Sequence, residues 1–276
     1  MAFRELHNLL AQLESDLTLF ESDQLRRRID ALDLLDGYPQ DPRAEAMRVR
    51  LEAVNAAIYR SIRSQILSGA ACDALLSWID QCADQSDSAP AGLHFDCLDE
   101  LIGGVLQLRE PDSTKIHPAP EMVFYQPTPA RHILYMLRLC ALTGADTLVD
   151  LGSGLGHVPI LASLLTDAKC IGIELESAYI ESASKCAESL GLNRAAFLQQ
   201  DARDADLSTA TVVYLYTSFT GSILGSVLGK LRDQSAHRQI RICTLGPCTE
   251  IVARQSWAVC CSAITEDQIA LFHARS

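Results

Sequence analysis

The segment Val149-Asp150-Leu151-Gly152-Ser153-Gly154-Leu155-Gly156-His157 decides the fold. It continues a short apolar run, Thr147 to Leu151, with the length of a strand, and leads into a helical pattern from about Val158 to Leu165. Three glycines at alternate positions let a ligand approach the backbone, and the N-terminus of the following helix faces that ligand. A nucleotide-type ligand at the carboxyl end of a sheet is the expectation. The nicotinamide fingerprint G-x-G-x-x-G, counted from Gly152, requires glycine where His157 stands.

Outward from this turn, short apolar or β-branched runs alternate with helical stretches. Strands are predicted at Cys170 to Glu174, Ala195 to Gln199, Val212 to Tyr216, Ile240 to Thr244, Trp257 to Ile264 and Gln268 to His273. Helices are predicted at about Thr128 to Leu142, Ala178 to Leu190 and Ser222 to Leu231. Such alternation implies a mainly parallel sheet with helices on both faces. Only Thr265-Glu266-Asp267 separates the last two runs, which are therefore expected to form an antiparallel hairpin at one edge.

Carboxylates stand at the ends of two more strands. Ile171-Gly172-Ile173-Glu174 closes on an acid that can accept hydrogen bonds from two ribose hydroxyls, and Leu198-Gln199-Gln200-Asp201-Ala202 closes on another. Glycine loop and both acids, in register with the intervening helices, resemble class I S-adenosylmethionine-dependent methyltransferases, whose D-x-G-x-G-x-G loop they match. The resemblance covers residues 120 to 276 and implies a Rossmann-like seven-stranded sheet with a terminal antiparallel hairpin. It implies S-adenosyl-L-methionine as cofactor and S-adenosyl-L-homocysteine as product. It assigns Gly152, Ser153, Gly154 and Gly156 to the loop around the amino-acid and ribose part, and Asp150 to the cofactor's ammonium. Glu174 with Leu175 goes to the ribose, and Asp201 with the Ala202 amide to adenine.

The segment Tyr214-Leu215-Tyr216-Thr217-Ser218-Phe219 follows the fourth strand, where this fold lines the methyl-transfer site. It lacks the Asn/Asp-Pro-Pro-Tyr of adenine-directed enzymes and has a looser likeness to Dot1-type lysine methyltransferases, without their Asn-Asn pair. Phe124-Tyr125-Gln126-Pro127-Thr128-Pro129 is a second candidate wall. There Tyr125 and Thr128 could meet the cofactor's carboxylate, and Thr128 could also cap the helix that Pro129 opens. Tyr125, Tyr216 and His132 are the candidates for handling the acceptor's proton. Gly246-Pro247-Cys248-Thr249 carries the Pro-Cys pair of cytosine-C5 methyltransferases, but after the fifth strand instead of the fourth.

Residues 1 to 110 carry no such motif and read as a helical domain or lid, with 111 to 276 as the cofactor domain. Helices are expected from Phe3 to about Leu35, Pro42 to Leu67, Cys72 to Cys82 and Phe95 to Leu108, with a polar loop at 84–92 and an extended linker at 110–120. The run Arg26-Arg27-Arg28 lies within the first helix and reads as a solvated face.

The chain has a formal charge of -12, with 19 acids against 10 bases up to residue 110 and 16 against 13 beyond it. Neither part offers the basic footprint that nucleic acid requires. Ten cysteines without a CxxC pair read as reduced thiols. No apolar leader or membrane-length run occurs, so no membrane partner and a cytoplasmic location are expected. Three function classes remain open. They are transfer to an O or N atom of a small-molecule acceptor under a helical lid, a protein (lysine-type) methyltransferase docking a basic partner, and a non-catalytic cofactor-binding module. A homodimer through the N-terminal helices is the association considered.

Overall fold

A computed structural model describes residues 2–82, 90–111, 121, 125–216 and 218–275. Most of the linker expected at 110–120, much of the loop at 84–92, and Phe124 and Thr217 lie outside them. The chain divides into two compact units, one of Met1–Ser86 with Phe95–Leu106 and one of Asp87–His94 with Gln107–Ser276.

The first unit is all helical: α1 (Ala2–Ser15), α2 (Leu25–Asp36), α3 (Pro42–Gln65), α4 (Ala71–Cys82) and α5 (Cys97–Leu106). The single helix expected from Phe3 to Leu35 is broken. Asp16 turns its carboxylate onto the Thr18 amide at 3.1 Å and starts a short 3-10 turn over Leu17–Phe20, followed by a second over Ser22–Gln24. The break lets α1 fold back, so that Leu6, Leu10 and Leu13 share a core with Leu35, Met47 and Leu51. α3 starts where the sequence indicates, with Asp41 accepting from the Arg43 amide at 2.9 Å and Pro42 in the first turn.

The arginine run is a solvated face only in part: Arg26 and Arg27 are exposed, but Arg28 turns inward. Arg28 is 0 % exposed, and its guanidinium donates to Asn55 Oδ1 at 2.6 Å and to the carbonyls of Leu19, Glu21 and Ser22. Arg27 pairs with Asp16, and Arg26 donates to the Cys82 carbonyl.

The second unit is a seven-stranded sheet flanked by helices. Its strands are β1 (Thr147–Leu151), β2 (Lys169–Glu174), β3 (Ala195–Gln199), β4 (Val212–Tyr216), β5 (Ile240–Leu245), β6 (Ala258–Cys260) and β7 (Ala270–Ala274). Their order is β3-β2-β1-β4-β5-β7-β6, parallel through the first five and antiparallel at β5-β7 and β7-β6. The helices are α6 (Ala130–Cys140), α7 (His157–Leu165), α8 (Ser177–Ser189), α9 (Gly221–Ser235) and α10 (Cys248–Ala253). β1 is buried throughout, as a strand covered on both faces must be.

The terminal hairpin is present with a longer connection than expected. Pairing stops at Cys260 because the Ser262 hydroxyl, at 2.9 Å, accepts the Leu271 amide that a longer ladder would use. α10 is absent from the predicted elements, its six residues being too few for a helical period to register. The chain runs from β1 outward to β3, then returns to lay β4 on the other side of β1. That reversal opens a crevice at the carboxyl ends of β1 and β4.

Candidate functional site

A cavity of about 630 Å³ occupies this crevice, within the range of small-molecule sites. Its wall runs from Asp201 and Ala202 after β3, past Glu174 at the end of β2 with Leu175 behind it and the loop after β1, to Tyr216 at the end of β4 with Phe219 beyond it, Pro247 after β5 and Glu266 before β7. Of the sequence-predicted residues, Tyr125, Thr128, Asp150, Gly152, Ser153, Glu174, Leu175, Asp201, Ala202 and Tyr216 line it.

The glycine loop is shaped largely by the protein itself. Gly152 and Gly154 have φ of 82° and 50°, a backbone region that other residues adopt at a cost. A Cβ on Gly154 would stand 2.1 Å from the Tyr125 ring, and one on Gly152 2.3 Å from Ser218 Cβ. A Cβ on Gly156 would meet Phe197 at 2.4 Å. The missing side chains therefore make room for three of the protein's own residues, a reason that the sequence reading, with its ligand approach, did not supply.

Glu174 holds the loop. Its Oε2 accepts from the Gly154 amide at 2.9 Å, and its Oε1 from the amides of Leu175 and Glu176 at 2.7 and 3.0 Å. Each oxygen has two lone pairs, so Oε2 retains acceptor capacity. Asp150, 4 % exposed, stands one residue before the end of β1. Burial, and then the charge of Glu174, hold the Asp150 carboxyl well above the usual carboxylate range. Asp201 is gripped by Arg203 at 2.7 Å, and this pairing keeps its carboxyl below the ordinary value.

Tyr125 packs across the loop, its hydroxyl 3.0 Å from His157 Nδ1 and its ring centroid 5.0 Å from that of Tyr179. Burial pushes the Tyr125 hydroxyl up and the His157 imidazole down to about 4, so both are neutral near pH 7. Thr128 does not cap the helix. Pro129 stands at the cap of α6, and Thr128 Oγ1 lies 2.9 Å from the Tyr214 hydroxyl, where 86 residues of sequence separate the two.

His132 is left out. It is 0 % exposed, its Nε2 lies 2.7 Å from the Gly92 carbonyl, and it does not line the cavity. One helical turn after Thr128 it faces the segment 90–94, a position that sequence proximity could not distinguish from the crevice. Cys248 is also apart, with its Sγ directed to the Leu215 and Leu245 carbonyls. Sequence reading missed Glu266 and Asp267 as wall residues, although their place before an antiparallel strand next to β5 sets them at the same end of the sheet.

No group of His, Cys, Asp and Glu able to hold a metal occurs among the described residues. No helix among them is long and apolar enough to cross a membrane. Two hydroxyls on the cavity wall, of Ser153 and Tyr216, are buried without a partner among the described residues. Buried polar groups are nearly always satisfied, so such orphans fit a polar ligand that completes them.

Residues 142–219 match a family model described as a methyltransferase domain. No curated protein sequence matches the chain. Among solved structures, an RNA methyltransferase from Salinibacter ruber in complex with S-adenosyl-L-homocysteine is 27% identical, covering 54% of this chain and 92% of that one, with a TM-score of 0.43. A precorrin-6y C5,15-methyltransferase from Geobacter metallireducens is 15% identical over 60% of this chain and 96% of its own, with a TM-score of 0.42. Magnesium protoporphyrin IX methyltransferase from Synechocystis with bound S-adenosylmethionine is 14% identical over 52% and 76%, with a TM-score of 0.40. The looser likeness to Dot1-type enzymes finds no support. The match spans the glycine loop and both strand-end acids, so residues 142–219 carry a methyltransferase domain, with S-adenosylmethionine as its cofactor.

Proposed function

We propose that the chain transfers the cofactor's methyl group to an O or N atom of a small-molecule acceptor. The observation that supports this is one continuous cavity reaching from Glu174 and Asp201 to Tyr216, Phe219 and Pro247, with room on either side of the β1–β4 crevice. Bound S-adenosylmethionine supplies an activated methyl on a sulfonium. Its methyl would pass to the acceptor's lone pair as the carbon–sulfur bond breaks, with the acceptor's proton lost to solvent or a base.

The protein's own work is placement and exclusion of water. Glu174, through the free capacity of Oε2, would accept from the ribose hydroxyls, and Asp150 would offset the ammonium. Asp201 and the Ala202 amide hold adenine. Tyr216, whose hydroxyl has no partner among the described residues, orients the acceptor, whereas Tyr125 is committed to His157 and positions the glycine loop. The free thiols of the nine described cysteines suit a reducing compartment such as the cytoplasm.

Titration calorimetry with S-adenosylmethionine and S-adenosylhomocysteine tests the cofactor half. Both are expected to bind, and Glu174→Ala is expected to weaken both by about tenfold or more, as loss of a charge-assisted contact does. Binding indifferent to that substitution contradicts the assignment. Cell extract incubated with methyl-labelled cofactor tests the acceptor half: label is expected in the small-molecule fraction, and label confined to protein or RNA rejects it.

A further inference from the structure

Beyond β5 the cavity wall includes a segment that the sheet does not supply. Leu93 lines the cavity from the segment 90–94, which lies between α4 and α5 in the chain yet belongs to the second unit. Its neighbour Gly92 is held from two directions. The Gly92 amide donates to Asp267 Oδ2 at 3.2 Å, and the Gly92 carbonyl accepts from Arg131 Nη2 at 2.7 Å and lies 2.7 Å from His132 Nε2. Arg131 also donates to the His94 carbonyl, so α6 grips the segment on both sides of Leu93. Gly92 has a φ of 76°, which glycine adopts at little cost.

These contacts set Leu93 apart from the residues assigned to the cofactor. Asp267 precedes β7, and the Gly246 amide after β5 donates to the Glu266 carbonyl at 2.9 Å, so the anchor lies on the β5–β7 side. β1, β4 and β5 stand between that anchor and Glu174 on β2. Pro247 adds a second apolar residue to the wall after β5. The arrangement also gives a role to His132, fully buried and off the cavity wall, and to Asp267, whose carboxylate engages the Gly92 amide. A side chain whose backbone is fixed in this way yields to an oversized ligand only at a cost in strain.

Resting on the small-molecule reading of this cavity, we propose that Leu93 determines acceptor size: the acceptor is a compact molecule whose apolar end packs against Leu93 and Pro247, and an end longer by a few methylenes is refused. Asp267, Arg131 and His132 are positioning residues that act through Leu93. The methylated oxygen or nitrogen lies toward Tyr216, whose buried hydroxyl has no partner among the described residues.

Two neutral phenols that differ only in the length of an alkyl end, 4-methylphenol and 4-butylphenol, test this by calorimetric titration into the full chain saturated with S-adenosylhomocysteine. The unsubstituted chain is expected to bind 4-butylphenol at least about tenfold more weakly. Leu93→Ala is expected to bring 4-butylphenol to the affinity of 4-methylphenol or above, with S-adenosylhomocysteine affinity unchanged. Asp267→Ala is expected to shift the ratio in the same direction by about threefold or more and to add nothing in the Leu93→Ala background, while Asp267→Asn, which keeps an acceptor oxygen, leaves the ratio as it was. 4-Butylphenol binding the unsubstituted chain as tightly as 4-methylphenol, a ratio unmoved by Leu93→Ala, or neither phenol binding at millimolar concentration overturns the inference while leaving the cofactor assignment standing. An Asp267→Ala shift that persists in full beside Leu93→Ala overturns the positioning role. Failure of S-adenosylhomocysteine to bind the unsubstituted chain overturns the methyltransferase reading and the inference together.

Discussion

Asp150, one residue before the end of β1, is 4 % exposed, and burial together with the nearby Glu174 charge raises its carboxyl above the ordinary range. A carboxyl whose folded pKa lies above its unfolded value of about 3.8 adds stability below that value, and loses it as pH rises through the folded pKa. Above the unfolded value Asp150 therefore costs stability. Asp150→Asn, which cannot ionise, is expected to raise the Tm at pH 7.5, with the gain shrinking as pH falls toward 4. An unchanged or lower Tm at pH 7.5 rejects the burial argument. The same substitution is expected to weaken S-adenosylmethionine binding, because the cofactor's ammonium is the charge that compensates the acid. Stability would thus rise while function falls, as a site holding an uncompensated charge for its ligand predicts.

At the scale of elements, the strands were legible and the interruptions were not. β1 and β4 stand at the residues that their apolar runs mark, because strands buried on both faces announce themselves in local composition. The break after α1 depends on the Asp16 side chain competing for backbone amides, and apolar periodicity continues through it. Arg28 shows what secures the break. Its guanidinium ties α2 to the 3-10 turns and to Asn55 on α3, satisfying three carbonyls at once. Arg28→Met, which leaves those groups buried without a donor, is expected to destabilise the helical unit by about 3 kcal/mol or more. Urea unfolding of the full chain by circular dichroism measures it. Lysine is not expected to rescue, since one ammonium cannot reproduce the planar fork. A loss below about 1 kcal/mol, the level of an exposed ion pair, would return Arg28 to the surface role that its sequence neighbours suggest.

For the whole molecule, charge distribution sets the class of partner. A formal charge of -12, with no lysine or arginine on the described cavity wall, leaves little to neutralise phosphates. A labelled single-stranded RNA is expected to remain unshifted in an electrophoretic assay at about 0.15 M salt and micromolar protein. A salt-dependent shift in that range would favour a macromolecular acceptor. The sequence by itself determined the α/β alternation, the glycine turn and the two strand-end acids, since each is written in a few neighbouring residues whose spacing fixes its period and place. Only the tertiary structure decided that Tyr125 fills the space over Gly154, that His132 faces away from the cavity, and that Glu266 and Asp267 enter it. Those outcomes join segments far apart in the chain, such as Gly92 and Asp267 across 175 residues. Local pattern carries no record of such distances; packing the sheet creates them.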